Sequence, residues 1–90
     1  MKAVHAEVRG RVQGVGYRQA ARIAARAFGL LGWVRNSNDG KVEVFAQGRE
    51  EDVDRFIDWL WLGPSGSAVT GVESNVVALD QLLHDFFIRQ

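Results

Sequence analysis

Val4, Ala6 and Val8 alternate with His5, Glu7 and Arg9, and the alternation stops at Gly10. A period of two is the mark of a half-buried strand. Past a glycine-rich stretch the period lengthens. Ala20, Ile23, Ala24, Ala27 and Phe28 line one side of a helix predicted over 18–28, with Arg22 and Arg26 off that stripe and Gly29 as its stop. LLGWVRN, 30–36, and KVEVFAQ, 41–47, flank SNDG, whose Asp39-Gly40 step is a strong hairpin signal, so these two strands are predicted to pair antiparallel. A second helix begins after Gly48. Glu50, Glu51 and Asp52 in its first turn suit the positive end of the helix dipole, and Val53, Phe56, Ile57 and Leu60 recur at helical spacing until Gly63-Pro64. GPSGSAV, 63–69, reads as a loop, TGVESNVVA, 70–78, as a fourth strand with Val72 and Val76 on one face, and FFIRQ, 86–90, offers a last edge strand.

The order β-α-β-β-α-β within 90 residues points to an α+β fold, a ferredoxin-like two-layer sandwich with two helices on one face of a four- or five-stranded antiparallel sheet. Residues 1–90 are expected to form a single domain. Eleven basic and eleven acidic side chains cancel, so no global field attracts nucleic acid or an anionic membrane, and any anion site must be local. The chain has no cysteine, which excludes a disulfide framework, a thiolate nucleophile and cysteine-ligated zinc. No run approaches the roughly 18 apolar residues of a membrane span, and MKAVHAEVRG has no apolar leader core. A cytoplasmic protein with no membrane or nucleic-acid partner is expected.

The candidate chemistry lies in GRVQGVGYR, 10–18. The spacing of its glycines matches neither the dinucleotide fingerprint nor the P-loop. A glycine turn at a helix start can still aim several main-chain N–H groups at a phosphate or carboxylate, although a tight strand-to-helix turn needs no ligand. Arg18 sharpens the choice. A cation at the positive end of a helix loses about 0.3–1 kcal/mol, a cost that a bound anion would reverse, and a planar guanidinium can grip two oxygens of one phosphoryl group. Asn36, at a strand end before the hairpin, carries both a donor and an acceptor; it could equally cap the turn. His5 and His84 lack metal-ligand spacing and receive no role. Trp33 is expected in or beside the sheet. Trp59, Trp61 and Leu62 cannot all share the narrow buried stripe of the second helix, so the surplus apolar surface is either exposed, as for self-association, or covered by a loop, and loop cover is the simpler expectation.

GRVQGVGYR at 10–18 and GWVRNSNDGKVEV at 32–44 resemble the two signature segments of the acylphosphatases, small ferredoxin-like enzymes that cleave carboxyl phosphates. The resemblance continues through GPSGSAVTGVE, 63–73, and FFIRQ, so it covers essentially the whole chain. It implies a phosphate cradle from Arg11 through Val12, Gln13, Gly14, Val15 and Gly16 to Tyr17, with Gly14, Val15 and Gly16 as the closest main-chain donors. It further implies that Arg18 binds the phosphoryl group and that Asn36 orients the attacking water. The implied enzyme is a monomer that needs no metal or cofactor, takes a small acyl phosphate and releases inorganic phosphate.

Many relatives carry phenylalanine at the position of Tyr17, and the added hydroxyl is expected to be tolerated if it reaches solvent. No general base stands in the motifs. Asp39 and Glu43 read as a hairpin residue and a solvent-facing strand residue, so a phosphate oxygen of the substrate is expected to take the proton. A competing reading keeps the fold and drops the catalysis, as a phosphate or carbamoyl-phosphate binding module like the one at the front of hydrogenase-maturation carbamoyltransferases; the chain's length favours the enzyme. A single-strand RNA reader ranks lower, because KVEVFAQ lacks the glycine-aromatic pattern of such modules.

Overall fold

In the computed structural model, which describes residues 1–90, the first alternating run becomes strand β1 (Lys2–Arg11) and the glycine loop leads into helix α1 (Tyr17–Ala27). Strands β2 (Leu31–Asn36) and β3 (Val42–Gly48), helix α2 (Glu50–Leu62) and strands β4 (Ala68–Val77) and β5 (Phe86–Ile88) follow. The five strands lie in the order β4-β1-β3-β2-β5. β1 pairs antiparallel with both β3 and β4, and β2 pairs antiparallel with β3 across a turn in which the Ser37 N–H donates to the Lys41 carbonyl at 2.9 Å.

One feature of the expected sheet is corrected. β5 runs parallel to β2, with Gly32 beside Phe86 and Val34 beside Ile88, so the sheet is mixed. Residues 78–85 carry the chain from the β4 edge to the opposite edge, and it then enters the sheet from the end at which β2 begins. Gln47 secures this crossing, since its carboxamide exchanges two 2.8 Å hydrogen bonds with the main chain of Asp80. Although it is polar, Gln47 is buried, and both ends of its amide are satisfied.

Both helices pack on one face of the sheet, over a core built from Val4, Ala6, Val8, Val34, Val42, Val44 and Ala46 below and Val53, Phe56 and Leu60 of α2 above. The buried row of α1 is Tyr17, Ala21 and Ala25 rather than the predicted stripe. Ala20, Ala24 and Phe28 flank this row, while Ile23 and Ala27 face solvent. Alanines occupy both rows, so apolarity alone does not orient the helix; the large ring of Tyr17 at its first position does. Small side chains at Ala21 and Ala25 then let α1 lie close to the sheet. Val76 is exposed, whereas Val72 packs on the core margin.

At the crowded end of α2 the expected loop cover is corrected: Trp61 and Leu62 are exposed, while Trp59 packs against Phe56 and Tyr17. The other face of the sheet carries Trp33, which stacks on Phe45 with centroids 6.2 Å apart and receives the Arg89 guanidinium over its ring. No helix is long and apolar enough to cross a membrane.

Candidate active site

Strand β1 ends at Arg11, and five residues later Gly16 starts α1 in a left-handed conformation, φ 77°. Gly14 is also left-handed, φ 74°. Two such residues so close together make the chain coil tightly at little steric cost, which is the reason for glycine at both. The helix that results has no side-chain cap and no acidic residue in its first turn. Its hydrogen-bond ladder begins with the Ala20 N–H on the Gly16 carbonyl, and no main-chain N–H from residue 13 to residue 19 donates to another group of the chain. A run of free donors at the positive end of a helix is an anion site.

These donors border a cleft of about 300 Å³. Val12, Gly14, Gly16, Arg18 and Gln19 form one wall, Asn36 another, and Ile88 and Gln90 the third. Arg18 is half-buried and makes no ion pair or hydrogen bond within the protein, in contrast to Arg9, Arg26, Arg35, Arg49 and Arg55, which all pair with carboxylates. The Oδ1 atom of Asn36 is buried and has no hydrogen-bond partner. Buried polar atoms are nearly always satisfied, and a lone acceptor at the wall of a donor-lined cleft fits a water or a ligand. It does not fit a turn cap, which would use that oxygen on the hairpin.

The cradle residues expected from the resemblance divide by side chain. Val12, Gly14 and Gly16 line the cleft. Val15 packs against the core, and Arg11 is exposed at the end of β1. Gln13 turns the other way: its Nε2 donates to the carbonyls of Ser37 at 3.0 Å and Lys41 at 2.8 Å, clamping the loop to the hairpin that carries Asn36. The Tyr17 hydroxyl does not reach solvent: the side chain is buried, and the hydroxyl is accommodated by donating to the Leu60 carbonyl at 2.6 Å. Burial pushes this phenol well above its ordinary pKa, so it stays a donor.

Neither nearby acid reaches the cleft. Asp39 stays in the hairpin, where the Ser37 hydroxyl and Lys41 hold its carboxyl below the ordinary value. Glu43 sits between the core-facing Val42 and Val44 and so points to the opposite side of the sheet, where it meets Arg35 and, at 2.6 Å, His5. Burial alone would raise its pKa, but hydrogen bonds from His5 and Arg35 outweigh that and lower it. His84 is exposed. No group of three or more His, Asp or Glu side chains is arranged to hold a metal ion.

Three cleft residues escaped the sequence reasoning. Gln19 could have been found, since it follows Arg18 in the first turn of α1. Ile88 and Gln90 could not, because only the crossing by residues 78–85 brings β5 beside β2. A second groove, of about 330 Å³, lies against Met1, Val76, Val77 and Leu79 and has no comparable set of free donors; its one lysine, Lys2, is bound to Asp54 at 2.8 Å.

With this geometry in place, the likeness to known proteins is specific. The acylphosphatase family profile matches residues 4–88. An acylphosphatase from Pseudomonas paraeruginosa is 48% identical over 97% of the chain and 94% of its own length. The crystal structure of acylphosphatase from Bacillus subtilis superposes with a TM-score of 0.96 at 34% identity, with full coverage of both chains. Full-length HypF, solved in a phosphate- and nucleotide-bound form, contains a similar unit: TM-score 0.90 and 28% identity over 99% of this chain but only 12% of that one.

Proposed function

The chain belongs to the acylphosphatase family, and from that premise we propose that Arg18 and Asn36 are the catalytic residues with which it hydrolyses acyl phosphates to a carboxylate and inorganic phosphate. The observation that carries this reading is that Asn36, whose buried Oδ1 has no hydrogen-bond partner, lines the same cleft as Arg18, unpaired within the chain, and as Gly14, Gly16 and Gln19, whose main-chain N–H groups are free.

The phosphoryl group sits in the cradle. Main-chain N–H groups and the α1 dipole hold its oxygens, and the Arg18 fork holds two of them at once. Charge gathers on these oxygens in the transition state, so donors already aimed at them lower the barrier without reorganising. The amide of Asn36 accepts a hydrogen bond from the attacking water through Oδ1 and fixes its approach to phosphorus. As the water oxygen bonds to phosphorus, the bond between phosphorus and the acyl oxygen breaks and its electron pair leaves with the carboxylate. A carboxylic acid of ordinary pKa near 4 is a good enough leaving group to depart unprotonated, so no general acid is required. The water proton passes to a phosphoryl oxygen of the substrate, since Asp39 and Glu43 lie outside the cleft. No step requires a metal ion.

Hydrolysis of an aryl acyl phosphate by the purified chain with a chelator present tests this reading. Turnover supports metal-independent catalysis. Phosphate binding without turnover supports the binding-module reading, for which the likeness to a small part of HypF is the favouring observation. The same reading takes residues 1–90 as one domain that works as a monomer in the cytoplasm; sedimentation at micromolar concentration checks the monomer.

A further inference from the structure

The carbonyl of Leu60 lies in the last turn of α2, and its helical partner would be the N–H four residues on. That residue is Pro64, which has none. The helix closes with the Gly63 N–H on the Trp59 carbonyl at 2.8 Å, which leaves the Leu60 carbonyl over. The phenol of Tyr17 supplies the missing donor at 2.6 Å, in a fully buried position.

The loop after α2 is shaped to admit that ring. Gly63 has a positive φ, 64°, and a Cβ there would collide with the Ser67 Oγ and come within 3.0 Å of the Tyr17 ring. Ser67 folds the loop back, its Oγ donating to the Pro64 carbonyl at 2.6 Å and its N–H to the same oxygen at 3.1 Å. Trp59 closes the other side, with ring centroids 5.6 Å apart. Gly63, held by the Ser67 turn and lacking a side chain, thus leaves room for the Tyr17 ring. That ring belongs to the first residue of α1, between Gly16, which turns the cradle, and Arg18.

We propose that Tyr17 is a positioning residue for the phosphate site: its hydroxyl anchors the start of α1, and with it Gly16 and Arg18, to the end of α2, so that phosphate binding and the order of the last turn of α2 are coupled. The inference rests on the reading of residues 11–18 as a phosphate cradle. Phenylalanine would fill the same space but leave the Leu60 carbonyl buried without a donor, a loss felt in full because the alternative partner, water, is excluded. A coupling of this kind is reciprocal, so bound phosphate steadies the last turn of α2 as much as that turn steadies the cradle.

The test uses inorganic phosphate on the full chain, wild type and Tyr17→Phe, with affinity measured by competitive inhibition and calorimetry and with amide exchange followed at Leu60 to Gly63. The expected result is a rise of about three- to tenfold in the phosphate dissociation constant of Tyr17→Phe, the range one buried hydrogen bond spans. Phosphate should slow exchange at the end of α2 in the wild type and lose that effect in the variant. Unchanged phosphate affinity in a variant that merely melts earlier overturns the coupling and leaves Tyr17 a structural bond. Should the variant not fold, the wild type decides alone, because exchange at Leu60 to Gly63 that ignores saturating phosphate contradicts the proposal. Wild type that fails to bind phosphate at all removes the cradle reading itself, and the two failures are therefore distinct.

Discussion

Gln13 and Lys41, 28 residues apart, are joined by a 2.8 Å hydrogen bond from the Gln13 carboxamide to the Lys41 carbonyl, and the same nitrogen also donates to the Ser37 carbonyl. This one side chain ties the glycine loop before α1 to the hairpin that follows Asn36, in addition to the pairing of β1 and β2 with β3. The hairpin keeps its own Ser37-to-Lys41 main-chain bond without it. Gln13→Ala should therefore leave the fold intact while destabilising it by about 1–2 kcal/mol for two lost bonds. Turnover should fall about tenfold as the water and the phosphoryl group lose register. If Gln13 acts through Asn36, its loss should cost much less in an Asn36→Ala background, and a double-mutant cycle on kcat reads that directly. Additive losses would assign Gln13 to stability alone.

Arg18→Lys keeps the charge and loses the fork. A lysine ammonium is a point donor and cannot hold two equatorial oxygens at set angles, so kcat/KM should fall by about 100-fold or more, the scale of one lost transition-state donor. Because no protein group pairs with Arg18, the melting temperature of the free enzyme should scarcely move. Full activity in Arg18→Lys would show that guanidinium geometry is irrelevant to the site.

Phosphate at ten times its dissociation constant should stabilise the protein by about 1.4 kcal/mol, which for a domain of this size is roughly 6–11 °C in melting temperature. Chloride at matched ionic strength should do far less. Equal shifts from both salts would mean screening and no specific anion site.

The single tyrosine of the chain gives a clean alkaline signature. Its folded pKa lies above the ordinary value of about 10, so the folded state holds the proton longer than the unfolded state. The resulting stabilisation is complete below about pH 10 and is lost as the pH rises through the raised folded value. Stability of the wild type should thus decline more steeply above pH 10 than that of Tyr17→Phe. Tyrosinate absorbance should appear only with unfolding. A phenol that titrates near pH 10 in the folded protein would contradict its burial against Leu60.

Much of this was legible in the chain, and the exceptions have local causes. β1 and the β2–β3 hairpin carry their own signals, strict alternation and Asp39-Gly40, and α2 has acids at its start and Gly63-Pro64 at its end. The face of α1 was misjudged because its first helical residue is Tyr17, not Arg18. With Tyr17 included, the row Tyr17, Ala21, Ala25 is the heavier one, and the hydroxyl belongs inside. The direction of β5 has no local signal, since it depends on where an eight-residue crossing delivers the chain. Arg18 and Asn36 could be singled out by charge and by dual hydrogen-bonding capacity. Ile88 and Gln90 have neither property and become cleft residues only through the parallel β2–β5 pairing.

The division of labour between a phosphate-binding Arg18 and a water-orienting Asn36 is tested most directly by Asn36→Ala, with kcat for an aryl acyl phosphate and the inhibition constant of inorganic phosphate measured on the same preparation. Asn36 is assigned to the water, so kcat should fall by about 100- to 1,000-fold while phosphate affinity stays that of the wild type. An unchanged kcat, with only a lowered melting temperature, would make Asn36 a turn residue and contradict the mechanism.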